Sequence, residues 1–406
     1  MLKKRFVWCV VMLSCSGLYA QPALKPFPQH TTYTAGAIIP NQVSRQNLDN
    51  SVRAFYREWK NRYVKPMAGK GQSYIWFERP GNKQCVSEGQ GYGMIIVPLM
   101  AGADPSAKAV YDALFSYYRA HPAKKGQYLM GWAQDVNGNN LDHSSAADGD
   151  IDIAYSLLLA DKQWGSKGAI NYLKEARVLM ADIMRYEVNR KTFTVLLSNE
   201  VEADSKDYFD TRPSDFMPSH FKAFKTATGD SRWDKVTDGT YRLFALMQQQ
   251  YSPDAGLLPD FIQQVNHHPH PAKAMYLETK YDGYYNYNAC RVPWRITADY
   301  LLYGDTRAKA ISTKINHWIR LTTKDNPDNI SAGYTLAGND LPARYFEALS
   351  FIAPFAVAAA AEAKNQQWLN HTWDYLLHFK IKDYDYYDNS IKMLNMIILS
   401  GNYWRG

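Results

Sequence analysis

Residues 86–94 read Val-Ser-Glu-Gly-Gln-Gly-Tyr-Gly-Met and open directly into the apolar run Met94 to Ala103. A single carboxylate, Glu88, stands beside three glycines, so its flanks carry little side-chain bulk and a large substrate can reach it. Such an acid reads as a working carboxylate. Two plainer accounts compete: a glutamate in a first helical turn is favoured by the helix dipole, and glycines ahead of a helix can cradle phosphate. Gly89, Gly91 and Gly93 give G-x-G-x-G, no Lys-Ser/Thr follows, and no clear strand precedes, which excludes the phosphate and dinucleotide fingerprints.

Other acids sit in similar places. Asp148, Asp150 and Asp152 open the apolar run that ends near Trp164. An aspartate there can be a plain N-cap. Asp148 and Asp152, four apart, share a helix face while Asp150 points away, so the three do not form one cluster. Asp215 closes the segment Asp210-Thr-Arg-Pro-Ser-Asp215, and a polar stretch runs from Glu278 to Asn288. The stretch Asp135 to Asn139 imitates the start of a calcium loop, but Asn140 and Ala146 stand where its glycine and glutamate belong. No metal or cofactor is expected. Trp132 nearby is either a flat platform for a ligand or core material.

The elements that must position these residues are helices. Beyond an extended, proline-bearing arm over 21–43, helical periodicity predicts twelve helices, at 44–62, 89–102, 106–121, 149–162, 168–188, 213–228, 231–250, 286–302, 305–322, 342–363, 365–379 and 389–400, with almost no alternating strand pattern. Twelve helices joined mostly by short loops pack as six antiparallel hairpins closed into an (α/α)6 barrel, an all-α fold with apolar inner helices. The even-numbered helices then start at one end. Glu88, Asp148, Asp215 and the Glu278–Asn288 stretch all fall at those starts, so four scattered segments converge on one rim.

Bulk composition agrees with one large globular domain: 406 residues, 46% hydrophobic and 21% charged, with no low-complexity linker. Residues 1–20 have the layout of a secretory signal peptide, Met1-Leu-Lys-Lys-Arg5 followed by the apolar stretch Phe6 to Leu13 and small residues up to Ala20. A lipoprotein reading through Cys15 is poorer, because Met12-Leu-Ser-Cys15 is not a good lipobox. The mature chain would be 21–406, secreted or periplasmic, off the membrane and monomeric. Of the net charge of +7, three units belong to Lys3, Lys4 and Arg5. The remainder is too mild to argue for nucleic acid. Cys85 and Cys290 stay in the mature chain; export would permit a bridge between them, although it would have to cross the cleft.

Two long motifs, S-E-G-Q-G-Y-G-M at 87–94 and A-D-G-D-I-D-I-A-Y-S-L-L-L-A-D-K-Q-W at 147–164, strongly resemble the family 8 glycoside hydrolases. The similarity extends to D-T-R-P-S-D at 210–215 and G-N-Y-W at 401–404, with Ala147 where the signature usually has Ser or Thr. The resemblance implies an (α/α)6 fold and endo-acting, inverting hydrolysis of β-1,4-linked glycans. It makes Glu88 the general acid and gives Asp148 to the minus-one sugar. In the cellulase-like branch a base aspartate lies in Tyr-x-Tyr-Asp-Ala-x-Arg, whereas Tyr285-Asn-Tyr-Asn-Ala-Cys-Arg291 has Asn288 there. A neutral amide cannot take a proton from water. The chain resembles more closely a second branch, of lichenases and chitosanases, whose base is a loop glutamate; Glu278 matches it, with Asp282 and Asp215 as alternatives. Tyr92, Trp132, Asp215, Asn288 and Arg291 are the expected substrate contacts.

The expected partner is a polysaccharide. β-Glucan is favoured; chitosan is the alternative, since a rim of Glu88, Asp148, Asp210, Asp215, Glu278 and Asp282 would attract a polycation. A polysaccharide lyase is disfavoured because no uronate-binding arginine cluster is seen. A glycan-binding protein with a dead site is suggested only by Asn288.

Overall fold

The computed structural model describes residues 22–79, 81–342 and 345–406, so the signal-peptide segment lies outside the described residues. Twelve α-helices are present among them: α1 (Arg45–Tyr63), α2 (Ser87–Leu99), α3 (Ala107–Ala120), α4 (Ala147–Trp164), α5 (Tyr172–Tyr186), α6 (Pro218–Thr228), α7 (Arg232–Gln250), α8 (Val292–Tyr303), α9 (Thr306–Thr323), α10 (Leu349–Ala359), α11 (Gln366–His378) and α12 (Tyr386–Leu399). The even-numbered helices close a ring: α2 packs on α4, and so on through α6, α8, α10 and α12, which returns to α2. The odd-numbered helices pack outside them. The expected (α/α)6 barrel is the observed fold.

Helix composition separates the two rings. All 11 residues of α10 are buried, and in α2 every residue is buried except Glu88. An inner helix must be apolar all round because it has neighbours on every side. The outer α1 buries one stripe, Leu48, Val52, Phe55, Tyr56, Trp59 and Tyr63, and leaves its other face to water. Gly229 and Gly304 end α6 and α8 in the left-handed conformation, turning the chain outward within a few residues. The return loops from outer to inner helices are long, notably 187–217, 251–291 and 324–348. They gather at the end where the inner helices begin. At the opposite end the extended arm crosses the barrel floor, its amides donating to Gln163, Ala101, Gly401, Leu301 and Ala360 at the ends of five inner helices.

Among the described residues seven short strands depart from the expectation of almost none: β1 (Val64–Met67), β2 (Gln72–Ile75), β3 (Lys83–Val86), β4 (Ala133–Asp135), β5 (Asn140–Asp142), β6 (Ile262–Gln263) and β7 (His270–Pro271). None exceeds 4 residues, too short for an alternating pattern to register. They pair antiparallel as β1-β2, β3-β4-β5 and β6-β7. Thus a strand, β3, does precede Glu88. Helix starts also differ: α6 begins at Pro218 after a 3-10 turn at Pro213–Asp215, and α8 at Val292 after one at Ala289–Arg291. The tenth helix starts later than 342, because Ala332 and Tyr345 pair across the preceding loop, and it ends at Ala359.

The glycines around Glu88 have a different use from steric access to substrate. Gly89, Gly91 and Gly93 are buried, and a Cβ on Gly91 would stand 2.8 Å from that of Asp152, one on Gly93 2.4 Å from Ile75. Gly149 answers from α4, where a Cβ would meet Ser87 Oγ at 2.5 Å and its carbonyl carbon at 2.6 Å. Without these side chains α2 and α4 approach closely, and Glu88 is set beside Asp148. Gly149→Ala forces backbone apart at a site with no slack, so it should destabilise the fold by about 1–3 kcal/mol, read as a lowered midpoint in urea unfolding.

Candidate active site

Strand β3 and the first turn of α2 aim Glu88 into the open end of the barrel. Its Oε1 accepts from the Tyr386 hydroxyl at 2.7 Å and its Oε2 from Arg291 Nη1 at 2.7 Å. Burial raises the Glu88 pKa above the ordinary glutamate value; Arg291 opposes this and the nearby Asp148 adds to it. A carboxyl so placed is biased toward its protonated form.

Asp148 lies inside the first turn of α4, and the N-cap position is Ala146, so the capping account does not hold. Asp148 Oδ2 accepts from Arg291 Nη1 at 2.8 Å, and Oδ1 from Arg212 Nη2 at 3.2 Å and from the Gly149 amide at 2.9 Å. Burial alone would raise its pKa, but the two guanidiniums hold it down at about 2. Arg291 is 1% exposed and also donates to Tyr92 and Asn288, so it ties α2, α4 and the start of α8 into one network. Asp152, one turn further along α4, receives both ends of the Arg295 fork at 2.8 and 2.5 Å and faces His220 at 3.1 Å.

The loop before α8 supplies Glu278. It is exposed, and its Oε2 accepts from Asn288 Nδ2 at 2.8 Å. Asp282 holds that loop rather than facing the cavity: its carboxylate accepts the amides of Leu277, Glu278 and Thr279 at 2.7, 3.0 and 2.7 Å. Asp215 is fully buried, bound to Arg212 Nε at 3.1 Å and Ser214 Oγ at 2.9 Å; burial pushes its pKa up to about 6. Asp210 is likewise spent on its own loop, accepting from Gln264 and Tyr276.

These side chains surround a cavity of about 780 Å³. Glu88, Asp148, Glu278, Asn288, Arg291 and Trp132 line it, with Phe77, Tyr287, Tyr345 and Tyr384 among the ring faces. Tyr92 and Asp215 do not. Tyr92 is fully buried and receives a bond from Arg291, so neither residue is placed as a substrate contact. Of the six acids expected on the rim, Asp210, Asp215 and Asp282 are turned into the protein. Cys85 and Cys290 are both buried and free.

Sequence reasoning missed Asp260, Arg212 as a clamp, and Tyr386. Asp260 lines the cavity, and its Oδ1 accepts the amides of Asn286, Asn288 and Ala289 at 3.1, 3.1 and 2.7 Å. Burial pushes its pKa up to about 8, against the pull of those three amides. It therefore fixes the segment that delivers Asn288 and Arg291. Its setting, Leu-Leu-Pro-Asp-Phe, reads in sequence as an ordinary loop aspartate.

The model of the glycosyl hydrolases family 8 matches residues 26–401. The chain belongs to that family. Among family relatives, a beta-glucanase from Niallia circulans is 44% identical over 395 residues, covering 97% of this chain and 94% of the relative. An endoglucanase from Bacillus sp. (strain KSM-330) is 42% identical, covering 94% and 82%. The apo structure of a beta-1,3-1,4-glucanase from Paenibacillus sp. X4 superposes with a TM-score of 0.90 at 45% identity, over 94% of this chain and 99% of that one. Within this family 8 barrel, Asp260 acts through the loop it holds. Asp260→Asn keeps a neutral acceptor for the three amides and should retain kcat within about tenfold, while Asp260→Ala should lose about a hundredfold by displacing the loop. Steady-state kinetics on both variants checks this.

Proposed function

We propose that this protein is an exported, inverting endo-β-1,4-glycosidase of β-glucan, with Glu88 as general acid and Glu278 as general base. The observation that carries the reading is Glu88 itself. It is the one side chain of an otherwise buried helix that stays partly exposed, it opens into the cavity, and its partial burial favours its protonated form. A protonated carboxyl can give its proton to the glycosidic oxygen. Water then attacks the opposite face of the sugar, which requires a second carboxylate about 6.5–9.5 Å away.

Glu278 suits that second role because it comes from a separate loop, lines the same cavity and is exposed. Asn288 donates to its Oε2 and so leaves Oε1 for water. This arrangement supports a reading of the chain in the loop-glutamate branch of the family, with Asn288 orienting the base instead of being one. Asp148, ionised and clamped by two arginines, is suited to hold the distorted sugar and to stabilise developing positive charge at the anomeric carbon.

β-Glucan is preferred to chitosan for two reasons. The names of the Niallia and Paenibacillus relatives point that way, and three of the six acids that would attract a polycation are engaged inside the protein. The N-terminal layout of residues 1–20 supports export.

Reducing-sugar release on lichenan, carboxymethylcellulose, xylan and chitosan tests the substrate, with lichenan expected to be cleaved best and chitosan alone to overturn the assignment. Glu88→Gln should lower kcat on lichenan by about 10²–10⁴ while binding persists. Glu278→Ala should fall comparably, and azide, which needs no base, should restore turnover with formation of an α-glycosyl azide. An active Glu278→Ala variant would move the base elsewhere.

A further inference from the structure

We propose that Lys83 is a specificity-determining residue that sets the charge of the glycan admitted to the cleft, favouring neutral and anionic β-glucans and turning away amine-bearing chains. The inference rests on the β-glucanase reading and names a selection rule for the same site.

Lys83 opens β3, five residues before Glu88, and lines the same cavity. Its Nζ stands 4.4 Å from the ring centre of Trp132 and 5.6 Å from that of Phe77, two aromatic walls of the cleft. No carboxylate among the described residues pairs with it. The acid directly across the strand pair is Asp135, whose oxygens instead accept from Asn137 and Asn139 at 2.9 and 2.8 Å. Arg79, whose guanidinium carbon lies 5.5 Å from the centre of the Phe77 ring, is neutralised by Asp385 at 2.9 Å. Lys83 is thus a cation held on aromatic faces, with its charge left for whatever enters.

The face of an indole ring serves two kinds of ligand. It stacks on the apolar face of a pyranose, and it attracts a cation. A neutral sugar can slide the flexible lysine aside and gain hydrogen bonds from its three donors. An acidic substituent gains an ion pair as well. A glucosamine unit brings a second ammonium to a face that already holds one, and like charges in a cleft walled by low-dielectric rings repel.

The test compares kcat/KM on lichenan, carboxymethylcellulose and chitosan for wild type, Lys83→Met, Lys83→Arg and Lys83→Glu, at low salt and at about 0.5 M salt, where surface charge effects are screened. At low salt, Lys83→Met should lower the carboxymethylcellulose-to-lichenan ratio by about three- to tenfold and raise the chitosan-to-lichenan ratio similarly, Lys83→Glu should exceed it, and Lys83→Arg should hold near wild type. High salt should shrink each shift. Unchanged ratios in the Met and Glu variants, or an equal loss on all three polymers, would overturn the role of Lys83 while leaving lichenan cleavage by wild type intact. If wild type cleaves no glucan, the β-glucanase reading fails by itself. Calorimetric titration of cellotetraose and of a glucosamine tetramer into wild type and Lys83→Met then decides the charge rule: a shift in relative affinity supports it and none overturns it.

Discussion

Two arginines at the start of α8, Arg291 at its N-cap and Arg295 in its first turn, lie buried in the barrel lumen, and the centre of the molecule is arranged around neutralising them. Arg291 and Arg295 are one helical turn apart, and so are Asp148 and Asp152 on α4. The two helices flank α6 in the ring and are joined by two rungs of side chains, Arg291 to Asp148 and Arg295 to Asp152. A guanidinium taken from water is costly unless its charge and donors are matched. The matching here fixes the axial register of α4 against α8, which no apolar contact could do as sharply. Packing of the inner helices then follows from a register already set.

The upper rung also divides the labour between two carboxyls. Asp148 is bound by both Arg291 and Arg212 and is held ionised, whereas Glu88 shares Arg291 with it and has a tyrosine hydroxyl as its other partner. Burial acts on both. It wins at Glu88, and it loses at Asp148, because the second guanidinium is bonded to Asp148 and acts on Glu88 only from farther off. Two acids with opposite shifts thus share one arginine, which is the pattern expected where a proton donor and a fixed negative charge must coexist. The close approach of α2 and α4 through Gly91 and Gly149 makes the sharing geometrically feasible.

Much of this was legible in the sequence. The twelve helices announced themselves because inner helices are apolar runs and outer ones carry a stripe, and Glu88 and Asp148 stood at their starts. The strands were not legible, since pairing of two to four residues is decided by neighbours far along the chain. Nor could the residues themselves say which way a side chain turns. Asp215 and Tyr92 belong to segments that reach the site, yet both point into the protein. Asp282 sits four residues from Glu278 and is consumed by the loop that Glu278 rides on. Asp260 carries no periodic or motif signal, because its role exists only once the segment at 286–289 is folded against it.

The central claim is that water activated from the Glu278 side attacks the sugar while Glu88 protonates the leaving oxygen. Asp148 also lies near Glu88, bound to the same arginine nitrogen, and is the carboxylate that a retaining mechanism would use as nucleophile. The stereochemistry of the first product separates the two arrangements directly. Proton NMR of lichenan hydrolysis, followed from the earliest turnovers before mutarotation, should show the α-anomer of the new reducing end appearing first. The β-anomer appearing first would mean retention, would make Asp148 the attacking group, and would contradict the assignment of Glu278.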